Sequence, residues 1–363
     1  MEGLVMMDFD SYRGAKVFVT GHTGFKGSWL CEWLLSIGAE VYGYALKPPT
    51  SPSLFNQLRL SKRVVSHVTG DVRDSKALAR AVKSAQPDFI FHLAAQPIVR
   101  YSYAHPVETF DTNVMGTVNL LESCRKLENP CAVVCVTTDK VYENDDSGKA
   151  FSENDPLGGS DPYSASKGAC EIAIQSYRRS FFSTPDSLVR VASARAGNVI
   201  GGGDWAQDRL IPDAMRAFFG DRRLVIRNRH STRPWQHVLE PLSGYLMLGA
   251  AMAKNAEFAT SFNFGPDPKS VKTVWDLMLN LLPLFPEVEL EDLTDPDAPH
   301  EAKLLTLDSS KAERMLGWKS GWSFKRTIWE TAEWYKGRYM HDSAVELCRK
   351  QIMSYQSDLK SGA

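Results

Sequence analysis

A tyrosine and a lysine in the stretch DPYSASK could act together on a proton. Tyr163 and Lys167 fall early in a predicted helix, and their spacing of four residues places both side chains on one helical face. A lysine beside a phenol favours the phenolate, so the pair could accept a proton near neutral pH although free tyrosine titrates at about 10. The pattern YxxxK is common, so its meaning depends on what the sequence places near it.

A second group of reactive side chains follows a strand that looks buried. The apolar run CAVVCV ends in two threonines, an aspartate and a lysine, of which Thr138, Asp139 and Lys140 are the last three. These residues could supply an acid and a base, or they could form a solvated Asp–Lys pair at the surface. Ligands of doubly wound sheets bind outside the carboxyl ends of the strands, so we expect these side chains to point into that crevice.

A glycine-rich loop, GHTGFKG, joins the first predicted strand to the first predicted helix. Its spacing, GxxGxxG, is a variant of the dinucleotide-binding fingerprint. The first glycine permits a tight turn, the second lets the backbone approach a pyrophosphate, and the third lets the helix pack on the strand. The position of the loop predicts a dinucleotide site that includes Gly21, Thr23, Gly24, Phe25, Lys26 and Gly27.

The ribose end of that site is less clearly marked. An NAD enzyme often has an acidic residue at the end of the second strand, but the stretch VYGYALKPP contains none. Lys47 could meet a 2′-phosphate or lie in solvent. Asp71, in GDVRD after the third strand, could accept a hydrogen bond from an adenine amino group or serve as a turn or helix-capping residue. The choice between NAD and NADP therefore stays open at this point.

These motifs lie on an alternating series of strands and helices. Helices are predicted over about 25–37, 105–127 and 161–182, between apolar strands such as KVFVTG, EVYGYAL, DFIFHLAA and CAVVCVTT. The series predicts an α/β fold with a Rossmann-type doubly wound parallel sheet. After residue 197 the rhythm breaks. We expect residues 1–197 to form the dinucleotide-binding domain and residues 198–363 mainly a smaller, interleaved substrate domain, with segments near 225–270 returning to the sheet.

The overall composition excludes several classes of protein. The 363 residues carry a formal net charge of -1, which gives no basic excess for nucleic-acid binding. The six cysteines form no CxxC pair and have no metal-ligand spacing. The sequence shows no signal peptide and no apolar stretch long enough to cross a membrane. We therefore expect a cytoplasmic protein that binds no metal, nucleic acid or membrane.

The sequence resembles the extended short-chain dehydrogenase/reductase family and, within it, the nucleotide-sugar 4,6-dehydratases. The stretches that carry the resemblance span nearly the whole chain and are GHTGFKGSWL, VYGYALKPPTSPSLF, FHLAAQPIVR, NVMGTVNLLE, TTDKVYEN, DPYSASK, RAGNVIGGGDWAQDRLIPD, RPWQHVLEPLSGY, FNFGP and LDSSKAERMLGW. The resemblance implies an enzyme that uses NAD in an internal redox elimination. A hexose would be oxidised at C4, lose water across C5 and C6, and be reduced at C6.

The resemblance also implies roles for the two reactive groups. Tyr163 would take the proton of the 4-hydroxyl, Lys167 would hold the cofactor ribose, and Thr138 would hydrogen-bond at that hydroxyl. Asp139 would protonate the departing 6-hydroxyl and must therefore carry a proton at neutral pH. Lys140, where most dehydratases have glutamate, would remove the C5 proton, or it would stay charged and stabilise the enolate.

Further residues follow from the same resemblance. The cofactor site would also include Asp71, Val72, Leu93, Ala94 and Ala95, and the substrate site Gln96, Asn198, Arg209 and Arg233. Arg233 is the best candidate for a fork-shaped clamp on the diphosphate. Asn113 matches an asparagine that the family uses structurally and in catalysis. His92 could line the pocket or be a core histidine with satisfied hydrogen bonds.

The implied substrate is CDP-glucose, and the product would enter deoxysugar synthesis such as that of lipopolysaccharide O-antigens. The nucleotide is the least decisive part, so dTDP-glucose and GDP-mannose remain alternatives. A nucleotide-sugar epimerase would need the Tyr/Lys pair but no acid and base at 139 and 140. A regulator that senses NAD(P) without turnover usually lacks the tyrosine or the lysine. The resemblance further implies a homodimer formed through the helices near 105–127 and 161–182, or a tetramer.

Overall fold

The strands form where the sequence has short apolar and β-branched runs. The computed structural model describes residues 9–144, 147–184, 186–207, 209–220, 223–226, 228–285, 288–294 and 305–361. The first eight residues of the predicted first domain and the last two of the second therefore lie outside the described residues. The strands are β1 Lys16–Thr20, β2 Glu40–Ala45, β3 Ser66–Thr69, β4 Phe89–His92, β5 Cys131–Val136, β6 Ala150–Phe151, β7 Val189–Ala196, β8 Val199–Ile200, β9 Arg223–Ile226, β10 Thr232–Pro234, β11 Gln236–His237, β12 Ser261–Phe264, β13 Val271–Thr273, β14 Glu289–Asp292 and β15 Thr306–Leu307.

Several helices begin at side chains that cap their first turn. Before the catalytic-type motif, Asp161 accepts a hydrogen bond from the Ser164 amide, and Pro162 occupies the first helical position. The α-helices are α1 Phe25–Ser36, α2 Leu54–Gln57, α3 Ser75–Ala85, α4 Val99–Ala104, α5 Pro106–Phe110, α6 Gly116–Cys124, α7 Pro162–Tyr177, α8 Leu210–Phe219, α9 Leu239–Lys254, α10 Val274–Leu281, α11 Ser310–Leu316, α12 Phe324–Tyr339 and α13 Ala344–Ser361.

The central sheet has seven parallel strands in the order β12-β7-β5-β4-β1-β2-β3. Strands β1 to β3 are added toward one edge of the sheet, and β4 then lies on the other side of β1. The order in which strands are added therefore reverses between β1 and β4. The register aligns Thr20 with His92 and His92 with Cys135, which brings the carboxyl ends of these strands level. The predicted doubly wound sheet is confirmed, and its ligand crevice is expected at this reversal.

Two hydrophobic cores cover the faces of the sheet. One core packs α1 and α9 against one face through residues such as Trp29, Val134 and Tyr245. The other packs α3, α6 and α7 against the opposite face through residues such as Leu120 and Ile174. Strand β5 is buried along its whole length, as expected for a parallel strand covered on both faces. A rigid, doubly covered strand thus leads directly to Thr138, Asp139 and Lys140.

The helix expected over 105–127 is not continuous. Helix α4 ends at Ala104, α5 runs from Pro106, and a π-helical turn at Asp111–Met115 separates α5 from α6. The helix expected over 161–182 likewise ends in a π-helical turn, Arg178–Phe182. The first of these turns contains Asn113, whose side chain bonds the loop after β4 and helix α7. Local periodicity cannot reveal such a turn, because long-range hydrogen bonds compensate for the wider helix.

The chain beyond residue 197 builds a lobe beside the sheet and returns to it once. Strand β12 joins the central sheet next to β7. The segment near 225 does not return, because β9 pairs with β14 in a separate two-stranded sheet, and β10 pairs with β13 in another. Within the described residues, the helices are too short or too polar to span a membrane.

Candidate active site

The two reactive groups of the sequence meet at the carboxyl end of β5. Thr138 caps a short 3-10 turn, Asp139–Val141, and its hydroxyl donates to Asp139 Oδ1 at 2.9 Å. Lys140 Nζ lies 3.8 Å from the same oxygen. Thr138 also lies near the phenol of Tyr163 on α7, and its hydroxyl lowers the pKa of that phenol. The structure therefore brings the predicted acid, base, threonine and tyrosine into one cluster.

Burial differs among the members of this cluster. Tyr163, Lys167, Thr138 and Asp139 are all buried, whereas the side chain of Lys140 keeps 27% of its exposure. Lys167 Nζ donates to the carbonyl of Val136 at the end of β5, at 3.3 Å. Because a solvated surface pair would leave the aspartate exposed, the burial of Asp139 argues against that reading of the Asp–Lys sequence.

In the protein chain alone, the surroundings of Tyr163 oppose ionisation of its phenol. Burial raises the pKa of Tyr163 to about 12, and the neighbouring Thr138 hydroxyl only partly offsets this effect. Burial also lowers the pKa of Lys167. Both shifts have the same cause, since a dry environment disfavours the phenolate and the ammonium ion alike. A positive charge supplied from outside the chain is therefore needed to make Tyr163 a base near neutral pH.

The glycine loop has the geometry of a diphosphate cradle. Gly21 has a φ of +74°, and a Cβ there would lie 2.7 Å from the backbone nitrogen of Ala94. A Cβ on Gly27 would lie 2.2 Å from the carbonyl oxygen of Gly21. Gly24 caps α1 in an extended conformation without any side-chain hydrogen bond to the first turn. The amide groups at the start of α1 are thus open to an anion, so these residues fit the pyrophosphate of NAD.

Hydrogen bonds position the loops that surround the cradle. Thr23 donates to the carbonyl of Leu46 at 2.9 Å, which ties the loop after β1 to the loop after β2. Leu93, Ala94 and Ala95 follow β4, and the Ala94 amide donates to Thr20 Oγ1 at 3.2 Å. Phe25 and Lys26 open helix α1. All of them line the edge where β1 and β4 meet.

Lys26 lies close to the reactive cluster. Its Nζ is 6.0 Å from the centre of the Tyr245 ring. Burial, aided by the charges of Arg209 and Lys167, lowers the pKa of Lys26 to about 8, while Asp139 opposes this change. Tyr245 is fully buried, and its hydroxyl has no hydrogen-bond partner within the described part of the chain.

The residues expected near adenine have structural contacts of their own. Asp71 accepts hydrogen bonds from the amide and the guanidinium of Arg73, which lowers the pKa of Asp71. Both carboxylate oxygens therefore accept hydrogen bonds from Arg73, as expected for a residue that stabilises a turn. Val72 is buried, and a Cβ on Gly116 would lie 2.6 Å from its side chain. Lys47 is exposed.

His92, the last residue of β4, and Gln96, in the loop after it, have their polar groups satisfied inside the protein. His92 bonds Thr20 at 2.7 Å and Thr117 at 3.2 Å, and burial lowers its pKa to about 3, so it is a core histidine. Gln96 donates to Thr109 at 2.9 Å and accepts from the Ile98 amide at 2.6 Å. The Gln96 side chain thus joins its own loop to α5, and a substrate contact would have to replace one of these bonds.

Asn113 links the loop of Gln96 to the catalytic-type helix. Its Oδ1 accepts from the Gln96 amide at 2.8 Å, and its Nδ2 donates to Ser166 Oγ at 2.9 Å. Ser166 in turn donates to the carbonyl of Tyr163. Asn113 therefore aligns α7 with the crevice from inside the protein.

The predicted substrate residues of the second lobe do not converge as tightly. Arg209 pairs with the buried Asp204 at 2.9 Å, and its charge acts on both Lys26 and Tyr163. Asn198 is exposed directly after β7. Arg233 lies in β10 and donates to the carbonyl of Thr232 at 2.9 Å. Arg209 is thus linked electrostatically to the reactive cluster.

Sequence reasoning missed two features beside Asp139. Gly197 lies against it, since a Cβ there would be 3.0 Å from Asp139 Oδ2. Glu171 and Arg195 form a buried ion pair at 2.8 Å next to the end of β5. Glu171 continues the four-residue spacing of Tyr163 and Lys167, and this signal could have identified it. Gly197 gives no local signal, because the chain reaches Asp139 from a different strand.

Comparison with known proteins identifies the family of the chain. Residues 18–265 match the family model described as GDP-mannose 4,6 dehydratase. The chain is 46% identical over 356 residues to a CDP-glucose 4,6-dehydratase of Salmonella typhimurium, covering 97% of this chain and 99% of that protein. It is 25% identical to dTDP-glucose 4,6-dehydratase 1 of Escherichia coli, covering 88% and 92%.

Solved structures lead to the same family. The dTDP-glucose 4,6-dehydratase DesIV of Streptomyces venezuelae, solved with NAD bound, is 26% identical with a TM-score of 0.74, covering 91% of this chain and 99% of that one. A UDP-glucose 4-epimerase of Thermotoga maritima has a TM-score of 0.75 at 21% identity, which shows a shared fold alone. The resemblance seen in the sequence is confirmed. The chain belongs to the family of NAD-dependent nucleotide-sugar 4,6-dehydratases.

Proposed function

We propose that this enzyme converts CDP-glucose to CDP-4-keto-6-deoxyglucose. The observation that carries the proposal is the 46% identity, over nearly the full length of both chains, to a CDP-glucose 4,6-dehydratase. The cluster of Thr138, Asp139 and Lys140 beside Tyr163 supports it. The oxidation requires a base at the 4-hydroxyl, and the elimination requires a base at C5 and an acid at the 6-hydroxyl.

The first step is oxidation at C4. NAD bound in the glycine cradle would serve as the hydride acceptor, and its positive charge would favour the phenolate of Tyr163. Tyr163 takes the proton of the 4-hydroxyl, and Thr138 orients that hydroxyl. Lys167, anchored on the Val136 carbonyl, holds the ribose. The ketone that results makes the C5 proton acidic.

The second step removes water across C5 and C6. Lys140 takes the C5 proton, and Asp139 gives a proton to the departing 6-hydroxyl. The distance of 3.8 Å between Lys140 Nζ and Asp139 Oδ1 lets one sugar ring face both groups. Reduction at C6 and return of a proton to C5 complete the reaction. A charged Lys140 that only stabilises the enolate is the alternative for this residue.

Turnover with several nucleotide sugars tests the proposal. CDP-glucose, dTDP-glucose, UDP-glucose and GDP-mannose would be incubated with the enzyme and NAD+, and the 4-keto-6-deoxy product detected by NMR. We expect product from CDP-glucose. Product from another sugar alone would retain the reaction and reject the nucleotide. A C4 epimer without a 4-keto product would favour an epimerase.

We further infer a homodimer formed through α4, α5, α6 and α7. Apolar side chains on these helices are exposed to an unusual degree, with Tyr103 at 66%, Val107 at 82%, Met115 at 46% and Ile172 at 60%. Such a patch supports an interface with a second copy. Sedimentation of the wild type and of Val107→Lys tests this, since a monomeric wild type would reject it.

A further inference from the structure

We propose that the buried ion pair of Glu171 and Arg195 is a positioning device for catalysis. The pair holds the turn that carries Asp139 and Lys140 in a fixed place relative to the helix that carries Tyr163 and Lys167. The inference rests on the proposed function, because it concerns how the oxidation and the elimination are coordinated on one sugar.

The ion pair is dry and heavily hydrogen-bonded, and among the described residues Arg195 Nε is its one nitrogen without a hydrogen-bond partner. The side chains of Glu171 and Arg195 are 2% and 3% exposed, and their closest atoms are 2.8 Å apart. Thr137 donates to Glu171 Oε1 at 2.5 Å, and Ser193 donates to Oε2 at 2.7 Å. A buried ion pair is weak evidence for stability, because desolvation opposes its attraction. Its partners therefore indicate what else it does.

Those partners bracket the reactive turn. Thr137 lies immediately before Thr138 and bonds Glu171. On the other side, Arg195 donates to the hydroxyl of Tyr142 at 2.7 Å and lies over its ring. The Tyr142 hydroxyl donates to Asn263 of β12 at 2.7 Å. Both ends of the four-residue segment 138–141 are thus tied to one ion pair.

One member of the pair, Glu171, lies on the helix that carries the two residues assigned to the oxidation. Glu171 follows Lys167 by four residues and Tyr163 by eight, so all three lie along one face of α7. Arg195 belongs to β7, which neighbours β5 in the sheet. Since the sugar is oxidised and dehydrated without leaving the site, the distance between the two reactive groups must be constant. A misplacement of about 1 Å can reduce a rate by about 100-fold.

The test removes single hydroxyls at the ends of the turn and leaves the charges in place. Glu171→Gln is unsuitable alone, because an unpaired buried arginine can prevent folding. Thr137→Val removes the bond to Glu171, and Thr137→Ser restores it. Tyr142→Phe removes the bond from Arg195. Ser193→Ala is the matched control, since its hydroxyl also reaches Glu171 but belongs to β7 and not to the turn.

Three quantities would be measured with CDP-glucose and NAD+. They are kcat, KM, and the absorbance of reduced cofactor at 340 nm during a single turnover. We expect Thr137→Val and Tyr142→Phe to lower kcat by about 10- to 100-fold with little change in KM. We also expect reduced cofactor to accumulate, because elimination slows more than oxidation. Thr137→Ser and Ser193→Ala should behave like the wild type.

The outcomes separate this inference from the proposed function. If the wild type makes product while the two variants lose only thermal stability, the pair is merely structural and the inference is wrong. Accumulation of reduced cofactor in Ser193→Ala to the same degree as in Thr137→Val would also overturn it. A wild type that makes no 4-keto product from any nucleotide sugar would overturn the proposed function together with the inference.

Discussion

The two pairs of reactive side chains in this enzyme are supported in different ways. Tyr163 and Lys167 lie on a regular helix whose start is fixed by Asp161 and Pro162, two neighbours in sequence. Asp139 and Lys140 lie on an irregular 3-10 turn of three residues. That turn is too short to fix its own position. Side chains from α7, β7 and β12 hold its two flanking residues, Thr137 and Tyr142, in place.

The difference explains how one site can perform two kinds of chemistry. In the proposed mechanism, the helix gives Tyr163 and Lys167 a fixed spacing in a buried environment. The turn leaves Lys140 partly exposed beside a buried Asp139, so two protons can be moved in opposite directions. Perturbing one pair should therefore affect one half-reaction more than the other.

Tyr163→Phe is the substitution with the largest expected effect. Loss of the base should lower turnover by about 1,000-fold or more, and no reduced cofactor should form, because oxidation is the first step. Absorbance at 340 nm and product NMR would measure this. The control is Tyr177→Phe, which also lies on α7 and should be fully active. It removes a hydroxyl that donates to Glu122 on α6. Oxidation by Tyr163→Phe at the wild-type rate would assign the base elsewhere.

Lys140→Ala should have the next largest effect and act on the other half-reaction. Turnover should fall by about 100-fold while oxidation persists, so reduced cofactor accumulates. Lys149→Ala is a matched control, because Lys149 pairs with Asp155 at 3.1 Å but is exposed. Full turnover by Lys140→Ala would reject its role as the base at C5.

Gly197→Ala should have a smaller effect on the elimination. The added methyl group would lie 3.0 Å from Asp139 Oδ2, so the carboxyl must move by a few tenths of an ångström. We expect a decrease of about 10-fold in turnover, with C4 oxidation preserved. Single-turnover absorbance and a crystal structure of the variant would check this. Unchanged kinetics with a displaced Asp139 would show that the position of the acid is not critical.

Lys26→Met should change stability in a pH-dependent manner. In the folded protein the pKa of Lys26 is about 8, below its ordinary value of 10.5, because burial disfavours the charge. Below pH 8 both states are protonated, and the folded state bears the full penalty. Between pH 8 and 10.5 the unfolded chain binds more protons, so wild-type stability rises with pH.

The variant should therefore be more stable than the wild type at pH 7, by about 1–3 kcal/mol. This advantage should disappear by about pH 10.5. Denaturant unfolding of the cofactor-free protein at several pH values would measure it, with the exposed Lys47→Met as the control. A difference that grows with pH would contradict the assigned environment of Lys26.

The amino-acid sequence alone determined the sheet, the glycine cradle and the helix of Tyr163. Strand runs, the GxxGxxG loop and the YxxxK spacing are local patterns, because each depends on residues that lie within one element and its adjacent loop. The doubly wound parallel sheet followed from the alternation of strands and helices. These features were predicted correctly for that reason.

Tertiary structure decided the surroundings of the reactive turn. The pKa of Tyr163 depends on burial by distant parts of the chain, and the π-helical turn at Asn113 depends on bonds to Gln96 and Ser166. Gly197 and Arg195 reach Asp139 and Tyr142 from a neighbouring strand. Contacts between residues so far apart in sequence leave no periodic signal, since they form only when the sheet brings the strands together.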